Sequence, residues 1–291
     1  MKHLPAFVTA VVALLCWFLP GISAELPDAS DVRVLVDVPY KDGDDLSAYE
    51  KERCKLDLYL PAGRGGFATL VWFHGGGLKA GDKQGEKSIA RSLARAGVAV
   101  VSANYRFSPH ATFPAYVEDA AAAFAWVHSH MAEHGGDPAR LFIGGHSAGG
   151  YLALLVGLDA RYLRACGLEL SAIAGVVPVS GQTMTHYTVR EEKGIGQFTI
   201  VADEAAPVHH SRKDTPPMLV LYADHDMPAR AEENAYFVAL MQGAGNTRVA
   251  GRLIRDRDHG SIARQIAVED DPARLAIISF MASEVGEHQR L

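Results

Sequence analysis

Short apolar runs alternate with amphipathic stretches along most of this chain. Residues 33–38 and 56–60 alternate apolar and polar positions, which predicts two half-exposed strands paired antiparallel at a sheet edge. Continuous apolar runs predict buried strands at residues 70–73, 98–103 and 141–143, and further strands are expected at residues 173–179, 218–222 and 248–254. Helical patterns cover residues 86–96, 113–133, 148–163, 232–242 and 271–285. This alternation predicts an α/β fold, with a mostly parallel central sheet of about eight strands and helices on both faces.

One segment, residues 181–214, breaks this rhythm, because it has few apolar runs and little helical pattern. At roughly 30 residues it is longer than an ordinary connection, which favours a functional loop or a small cap-like insertion. No internal repeat, low-complexity tract or long linker divides the rest of the chain. We therefore expect a single catalytic domain over residues 25–291.

The N-terminus has the order of a secretory signal peptide. Lys2 precedes an uncharged, mostly apolar run at residues 6–19, which Pro20 interrupts, and the small Ala24 follows. The run is shorter than the ~20 residues needed to span a bilayer. The sequence therefore predicts that residues 1–24 are removed and that the protein is secreted or periplasmic, without stable membrane insertion.

Composition narrows the functional classes. The chain has 291 residues, 48% of them hydrophobic and 21% charged, which excludes a disordered or collagen-like protein. Its net charge of −6, with no basic run, gives no electrostatic footprint for nucleic acid. Three cysteines cannot form a disulfide framework. Cys54 and Cys166 could pair in an oxidising compartment, although two separate thiols are favoured.

The strongest chemical motif is Gly145-His146-Ser147-Ala148-Gly149, directly after a predicted buried strand and at the start of a helix. A nucleophilic serine on a tight strand-to-helix turn requires small neighbours, and the glycines remove side chains that would collide across the turn. The serine hydroxyl would stand at a helix N-terminus, which favours developing negative charge. We expect Ser147 to be a catalytic nucleophile.

A second motif, His74-Gly75-Gly76-Gly77, ends the strand at residues 70–73. Consecutive glycines leave backbone N–H groups bare, and acyl transfer needs such donors for the oxyanion of its tetrahedral intermediate. We assign the oxyanion hole to Gly75 and Gly76, together with the N–H of Ala148. The Gly-Lys-Ser/Thr ending of a phosphate loop is absent.

A base and an acid are expected near the C-terminus. His259 lies after the final predicted strand, where a histidine can serve Ser147 as general base. Asp224 and Asp226 both follow the preceding strand, and either could orient the imidazole, because strand alternation would place them on the same side. The order Ser147, Asp226, His259 matches the hydrolase order of nucleophile, acid and base. No metal-ligand grouping stands out among the thirteen histidines, and the chemistry requires no metal or organic cofactor.

Taken together, these motifs resemble the α/β-hydrolase superfamily, in particular hormone-sensitive-lipase-like bacterial carboxylesterases and small secreted acyl esterases. The resemblance covers roughly residues 54–262. It rests on H-G-G-G at 74–77, N-Y-R at 104–106, F-P-A-Y-V-E-D-A from 113, G-G-D-P-A-R-L-F-I-G-G-H-S-A-G-G from 135, and D-H-G at 258–260.

The resemblance also implies roles for several acidic residues. It places the triad acid at the end of a G-x-x-D turn, which here is Asp226, with Ala223 in place of the glycine. It further implies that Asp82 and Asp119 are structural. A large N-terminal helical cap is not expected, because strands begin soon after residue 25.

The function predicted from these residues is a serine carboxylesterase that hydrolyses short-chain acyl esters. The resemblance to small secreted acyl esterases implies carbohydrate-borne acetyl or feruloyl esters as hypothetical substrates, and the expected export and lack of a large N-terminal cap favour them. Gln182, His186 and Tyr187 are expected near the entrance of the substrate pocket. Two alternatives stay open: an arylformamidase-type amide hydrolase, and a non-catalytic binding protein on a hydrolase fold.

Overall fold

Eight strands form one sheet in the part of the chain that this computed structural model describes, residues 32–196 and 198–288. They are β1 (Val32–Pro39), β2 (Lys55–Pro61), β3 (Phe67–Phe73), β4 (Ala99–Ala103), β5 (Gly136–His146), β6 (Gly175–Val179), β7 (Met218–His225) and β8 (Val249–Asp258). Their order across the sheet is β1-β2-β4-β3-β5-β6-β7-β8. Strand β2 is antiparallel to β1 and β4, and the other neighbours are parallel. The predicted α/β fold is confirmed. The predicted signal peptide, residues 1–24, lies outside the described residues.

Helices alternate with the parallel strands. They are α1 (Ala48–Arg53), α2 (Lys87–Arg95), α3 (Ala115–His130), α4 (Ala148–Leu158), α5 (Ala160–Ala165), α6 (Tyr187–Glu192), α7 (Arg230–Gly243), α8 (Ser261–Arg264) and α9 (Pro272–His288). The helices predicted over residues 86–96, 113–133, 232–242 and 271–285 are each found within a few residues of their expected bounds. Between Val32 and β3 the described chain forms only β1, α1 and β2.

Strand β3 lies inside the sheet and is buried along its whole length. Leu70 and Trp72 pack in one hydrophobic cluster, and Val71 and Phe73 pack in a second cluster. Since successive side chains of a strand point to opposite faces, both faces of the sheet are covered by apolar groups. This explains why residues 70–73 form a continuous apolar run instead of alternating.

The helix predicted over residues 148–163 is divided in two. Asp159 stands between α4 and α5 in an extended conformation, and its carboxylate accepts a hydrogen bond from the N–H of Arg161 at 3.1 Å. This is an N-cap, in which a short acidic side chain replaces the missing intrahelical acceptor of the new helix. Apolar residues continue on both sides of Asp159, and for this reason the sequence pattern predicts one helix instead of two.

Residues 181–214 connect β6 to β7 and contain α6 with a short 3₁₀ turn at Pro207–His210. The segment is therefore more helical than expected. Its description as a cap-like insertion in a single domain over residues 25–291 stays a prediction.

The two acidic residues expected to be structural hold separate parts of the chain together. Asp119 is fully buried and accepts hydrogen bonds from the guanidinium of Arg106, at 2.8 Å to each carboxylate oxygen, and from Lys41 at 2.5 Å. Asp82 accepts from the side chain of Asn104 at 2.9 Å and caps the turn that follows it.

Cys54 and Cys166 are both free thiols. Cys54 is buried, and burial raises the pKa of its thiol to about 11. A protonated, enclosed thiol is a packing residue rather than a nucleophile.

Candidate active site

Ser147 stands on a sharp turn between β5 and α4. Its backbone has φ 55° and ψ −118°, in a region that residues with side chains rarely adopt, and its N–H donates to the carbonyl of Val179 at 2.9 Å. Gly149 allows this turn to press against β3, because a Cβ at that position would lie 1.9 Å from the carbonyl oxygen of Phe73. A strained serine at the carboxyl end of a buried strand is the arrangement of a nucleophile elbow.

A continuous row of hydrogen bonds joins Ser147, His259 and Asp226. The Oγ of Ser147 lies 2.9 Å from Nε2 of His259, and Nδ1 of His259 lies 2.6 Å from Oδ1 of Asp226. Because a carboxylate can only accept, the proton resides on Nδ1, which leaves Nε2 free to accept the serine proton. The structure thus brings together the nucleophile, base and acid that the sequence nominated.

The carboxylate of Asp226 is buried and fully engaged. Its Oδ2 accepts from the hydroxyl of Ser180 at 2.5 Å, and its Oδ1 also accepts from the N–H of Met227 at 2.7 Å. Burial alone would raise the pKa of Asp226, but the hydrogen bonds from His259 and Ser180 outweigh it and hold the pKa below its ordinary value. The carboxylate therefore stays ionised beside the imidazole.

Asp224, the alternative acid, has a different task. Its two carboxylate oxygens accept hydrogen bonds from the N–H groups of Asp256 and Arg257, at 2.9 and 3.0 Å, and its side chain pairs with His225. These backbone hydrogen bonds lower its pKa to about 2. Asp224 thus joins the end of β7 to β8 and forms no hydrogen bond with His259 among the described residues. Of the two candidate acids, Asp226 is therefore the one that orients the imidazole.

The backbone of His259 is itself held by His146, the residue before the nucleophile, to which the sequence motif assigns no role. The ring of His146 donates from Nε2 to the carbonyl of His259 at 2.6 Å, and the two rings lie 4.7 Å apart. Burial lowers the pKa of His146 to about 4, with a further lowering by His259. A neutral ring near pH 7 keeps this donor in place without adding a positive charge beside the base.

The glycine loop after β3 lies against the nucleophile. A Cβ at Gly75 would stand 3.3 Å from the Cβ of Ser147, so the loop backbone passes directly beside the hydroxyl. Ala148 is the first residue of α4, where the N–H has no intrahelical acceptor. Within the described residues, none of the N–H groups of Gly75, Gly76 and Ala148 has a hydrogen-bond partner. Gly75 and Ala148 thus flank Ser147 with unused donors, and Gly76 is the next residue of the same loop.

Three hydrogen bonds fix the conformation of this loop. Nδ1 of His74 donates to the carbonyl of Gly75 at 2.7 Å, and the hydroxyl of Tyr105 donates to the carbonyl of His74 at 2.9 Å. The hydroxyl of Thr188, on α6, donates to the carbonyl of Gly77 at 2.6 Å. Donors that are held in place before the reaction stabilise an oxyanion without reorganisation.

Two of the residues expected at the pocket entrance lie at the start of α6, in different environments. Tyr187 is half-buried with its hydroxyl against the glycine loop, since a Cβ at Gly77 would stand 1.9 Å from its oxygen. His186 is buried, accepts from the N–H of Thr188 at 3.2 Å and packs against Tyr151. Contrary to expectation, His186 therefore caps a helix inside the protein and presents no surface to a substrate.

Gln182, the third expected pocket residue, lines a cavity of about 460 Å³. It is only 6% exposed, and its Oε1 has no hydrogen-bond partner among the described residues. The cavity also borders Pro228 and Ala229, which follow the acid loop of Asp226. The remaining lining residues are Met184, Arg190, Phe198, Ile200, Arg230, Glu232, Glu233 and Tyr236.

Metal-binding clusters of side chains and membrane-spanning helices are both absent from the described residues. No cluster there brings together three or more histidine, cysteine or acidic side chains that could hold a metal ion. None of the helices in that part of the chain combines the length and the apolar character required to cross a bilayer.

The family model called BD-FAE matches residues 56–240. This match includes β2 to α7, and so the glycine loop, the elbow and the acid loop. The chain belongs to the BD-FAE family.

Known proteins similar to this BD-FAE chain are esterases. The carboxylic ester hydrolase LipN of Mycobacterium tuberculosis is 44% identical over 35% of this chain and 28% of its own length. The carboxylesterase NlhH of the same organism is 27% identical over 64% of both proteins. The solved structure of a bacterial heroin esterase is 26% identical with a TM-score of 0.67, over 90% of this chain and 86% of that one. These findings confirm the predicted place among α/β-hydrolase carboxylesterases. The chain spans less than two thirds of the two curated relatives.

Sequence reasoning missed His146, Ser180 and Thr188, which position the site of this BD-FAE chain. Each acts through a single hydrogen bond to a catalytic residue or to the glycine loop. Ser180 could have been suspected, because it directly follows β6, the strand next to the one that leads into the elbow. Thr188 has no local pattern, since its partner Gly77 lies 111 positions away.

Proposed function

We propose that this chain is a serine carboxylesterase that hydrolyses short-chain acyl esters through an acyl-enzyme on Ser147. The observation that carries the proposal is the hydrogen-bonded row Ser147–His259–Asp226 beside a glycine loop with unused N–H donors. The names of the similar proteins, which include carboxylic ester hydrolases and a heroin esterase, support the same class of reaction.

The first half of the reaction forms the acyl-enzyme. Nε2 of His259 takes the proton of Ser147 while Oγ attacks the ester carbonyl. The developing oxyanion accepts hydrogen bonds from the N–H groups of Gly75, Gly76 and Ala148. Asp226 stabilises the imidazolium. When the tetrahedral intermediate collapses, His259 returns its proton to the departing alcohol.

The second half releases the acid. Water takes the place of the alcohol and gives a proton to Nε2 of His259 as its oxygen attacks the acyl carbonyl. The same N–H donors hold the second oxyanion. Ser147 then leaves as the hydroxyl and regains its proton from His259, so the enzyme ends in its starting state.

We further propose that the protein is exported and that its esters are accessible ones, such as acetyl or feruloyl groups on carbohydrates. The apolar run and small-residue ending of residues 1–24 support export. Export in turn supports substrates outside the cell. The proposed preference for short acyl groups rests on the same expectation of export and on the small N-terminal region, in which the described chain forms only β1, α1 and β2 before β3.

The test compares the wild-type protein with Ser147→Ala on 4-nitrophenyl esters from acetate to decanoate, and on an N-formyl anilide. Loss of the nucleophile should lower kcat by about 10⁶, as in another serine triad. A maximum at short chains supports the proposal. Preferential cleavage of the formamide would indicate an amidase instead. Inertness toward all esters, with no labelling by a fluorophosphonate, would indicate a non-catalytic protein.

A further inference from the structure

A buried arginine stands at the start of the helix that follows the acid loop. Arg230 is the first residue of α7 and is only 6% exposed. Two effects make this an unfavourable place for a guanidinium. Burial removes the charge from water, and the N-terminus of a helix carries a partial positive charge of its own. Burial accordingly lowers the pKa of Arg230. A cation at such a place needs partners that hold it there, and these partners show its role.

The guanidinium of Arg230 contacts the backbone of Ser180, the residue after β6. Nη1 of Arg230 donates to the carbonyl of Ser180 at 2.7 Å. The N–H of Ser180 donates to the carbonyl of Leu221, on β7, at 2.7 Å. Ser180 has φ 49°, in the left-handed region that a residue with a side chain adopts only where its surroundings hold it. Arg230 therefore supplies a hydrogen bond that keeps Ser180 in this conformation.

The conformation of Ser180 directs its hydroxyl to the triad acid. Oγ of Ser180 donates to Oδ2 of Asp226 at 2.5 Å, and Oδ1 of Asp226 lies 2.6 Å from Nδ1 of His259. A chain of hydrogen bonds thus runs from Arg230 through Ser180 and Asp226 to the base. Because the carbonyl and the hydroxyl belong to the same residue, a shift in the backbone of Ser180 would move the hydroxyl away from Asp226.

The positive charge of Arg230 is only loosely paired. Its one ion pair within the described residues is with Glu233, whose Oε2 lies 3.6 Å from Nε, beyond hydrogen-bonding distance. Oε1 of Glu233 accepts from the N–H groups of Thr183 and Met184, at 2.5 and 2.8 Å. Nε of Arg230 has no hydrogen-bond partner in the described part of the chain. The hydrogen bond to Ser180, rather than an ion pair, is therefore the contact that explains this buried guanidinium.

A second buried arginine offers a comparison. Arg274, on α9, is 8% exposed and donates from Nη1 to the carbonyl of Glu269 at 2.8 Å. Its Nε donates to the hydroxyl of Ser92, on α2, at 3.1 Å. Arg274 thus has the same burial and the same kind of carbonyl acceptor as Arg230, but these bonds join α9 to α2. Only the bond of Arg230 leads to a residue that contacts the triad acid.

We propose that Arg230 is a positioning residue of the catalytic site, which acts through Ser180 to hold Asp226 in the orientation that His259 requires. This inference rests on the proposed esterase function. Arg230 touches neither the substrate nor the reacting atoms in this role. Its loss should therefore slow the chemical step and leave the binding of a small neutral ester almost unchanged.

The test measures kcat and KM on 4-nitrophenyl acetate, with active sites counted by a fluorophosphonate probe. Arg230→Met keeps the unbranched stem but removes the donor, and it should lower kcat roughly three- to tenfold, the effect of one lost hydrogen bond. KM should stay within about twofold of the wild type, because the substrate contacts are kept. Arg230→Lys retains a charged donor and should recover most of kcat. Arg274→Met is the matched control and should keep kcat, even where it lowers the melting temperature.

A double-mutant cycle shows whether the effect passes through Ser180. Ser180→Ala removes the hydroxyl and should itself lower kcat roughly tenfold. Adding Arg230→Met to Ser180→Ala should then lower kcat by less than about twofold more, because residues that act through one contact are not additive. If Arg230→Met does not fold, Arg230→Gln, a neutral side chain too short to reach the carbonyl, gives the same cycle.

Other outcomes overturn the inference. A wild-type kcat in Arg230→Met, with a lowered melting temperature, would make Arg230 a structural residue only. Losses that multiply in the double variant would show that Arg230 does not act through Ser180. An equal loss in Arg274→Met would show that the effect is not specific to the acid loop. Each of these results leaves Ser147-dependent hydrolysis by the wild type, and so the esterase function, standing. If the wild type shows no such hydrolysis, the esterase proposal fails, and the role of Arg230 fails with it.

Discussion

Ser180 donates a 2.5 Å hydrogen bond to Oδ2 of Asp226, the carboxylate oxygen that His259 does not contact. Both carboxylate oxygens of Asp226 therefore accept a hydrogen bond. Oδ1 accepts from the imidazole of His259, and Oδ2 accepts from the hydroxyl of Ser180, which directly follows β6. A carboxylate held in this way keeps a fixed plane toward His259, and this fixes the tautomer and the orientation of the ring.

The first prediction separates the two candidate acids. Asp226→Asn should lower kcat by about 10⁴, because an amide can stabilise the wrong tautomer of His259. Asp224→Asn has nearly the same chemistry at a position without contact to the imidazole, and it should keep kcat within about threefold while lowering the melting temperature. Steady-state kinetics on 4-nitrophenyl acetate checks both. Equal losses in the two variants would contradict the assignment.

The second prediction concerns His146, which acts through the carbonyl of His259. His146→Leu removes the donor and should lower kcat by roughly tenfold or more with a smaller change in KM, since the imidazole loses its anchor. His146→Gln retains an N–H donor and should recover part of the loss. A structural role alone would affect the melting temperature of both variants and leave kcat per folded molecule equal to that of the wild type.

The third prediction concerns the glycine loop. Thr188→Val keeps the shape of the side chain but leaves the carbonyl of Gly77 without its donor. The looser loop should lower kcat about five- to tenfold. Thr188→Ser restores the hydroxyl and should restore kcat. If the serine variant is as slow as the valine variant, the hydrogen bond is not what positions the loop.

The fourth prediction is a loss of stability in mild acid. Burial lowers the pKa of His74 and of His146 to about 4, and it lowers the pKa of His186 as well. In the unfolded chain these rings titrate near pH 6.5. Between pH 6.5 and 4 the unfolded state thus binds more protons than the folded state, and the free energy of unfolding must fall as the pH falls.

The size of this effect is up to roughly 3 kcal/mol for each of His74 and His146 at pH 4, from 1.36 kcal/mol per pKa unit. Urea unfolding at pH 7, 6 and 5 measures it. His146→Gln should flatten part of the pH dependence. A free energy of unfolding that stays constant over this range would show that the rings are hydrated in the folded protein.

The fold and the nucleophile were predictable because their rules are local. Buried parallel strands read as short apolar runs, and a serine between glycines after such a run marks the elbow. The triad acid could be identified only from the three-dimensional structure. Asp224 and Asp226 share a strand end, and the irregular register between Ala223 and His225 defeats simple alternation there. Only the positions of β7 and β8 show which carboxylate reaches the imidazole.

The segment between β6 and β7 shows where sequence reasoning stops. Gln182 and His186 are both polar residues in a stretch without periodicity, so their burial could not be read from the pattern. Tertiary contacts decide it. His186 turns inward as a helix cap, whereas Gln182 lines a cavity, and its buried Oε1 has no hydrogen-bond partner among the described residues.

The edge position of β8 predicts that the site loses its structure at a lower temperature than the rest of the sheet. Ser147 and Asp226 follow interior strands, but His259 follows β8, which among the described residues pairs with β7 alone. Edge strands open locally at a smaller free-energy cost than interior ones. On warming, β8 should therefore unfold locally and reversibly, and His259 should lose its position before the rest of the molecule unfolds. Hydrolysis would then stop below the melting temperature of the protein. Amide exchange along β8 that keeps pace with the loss of activity would be its signature.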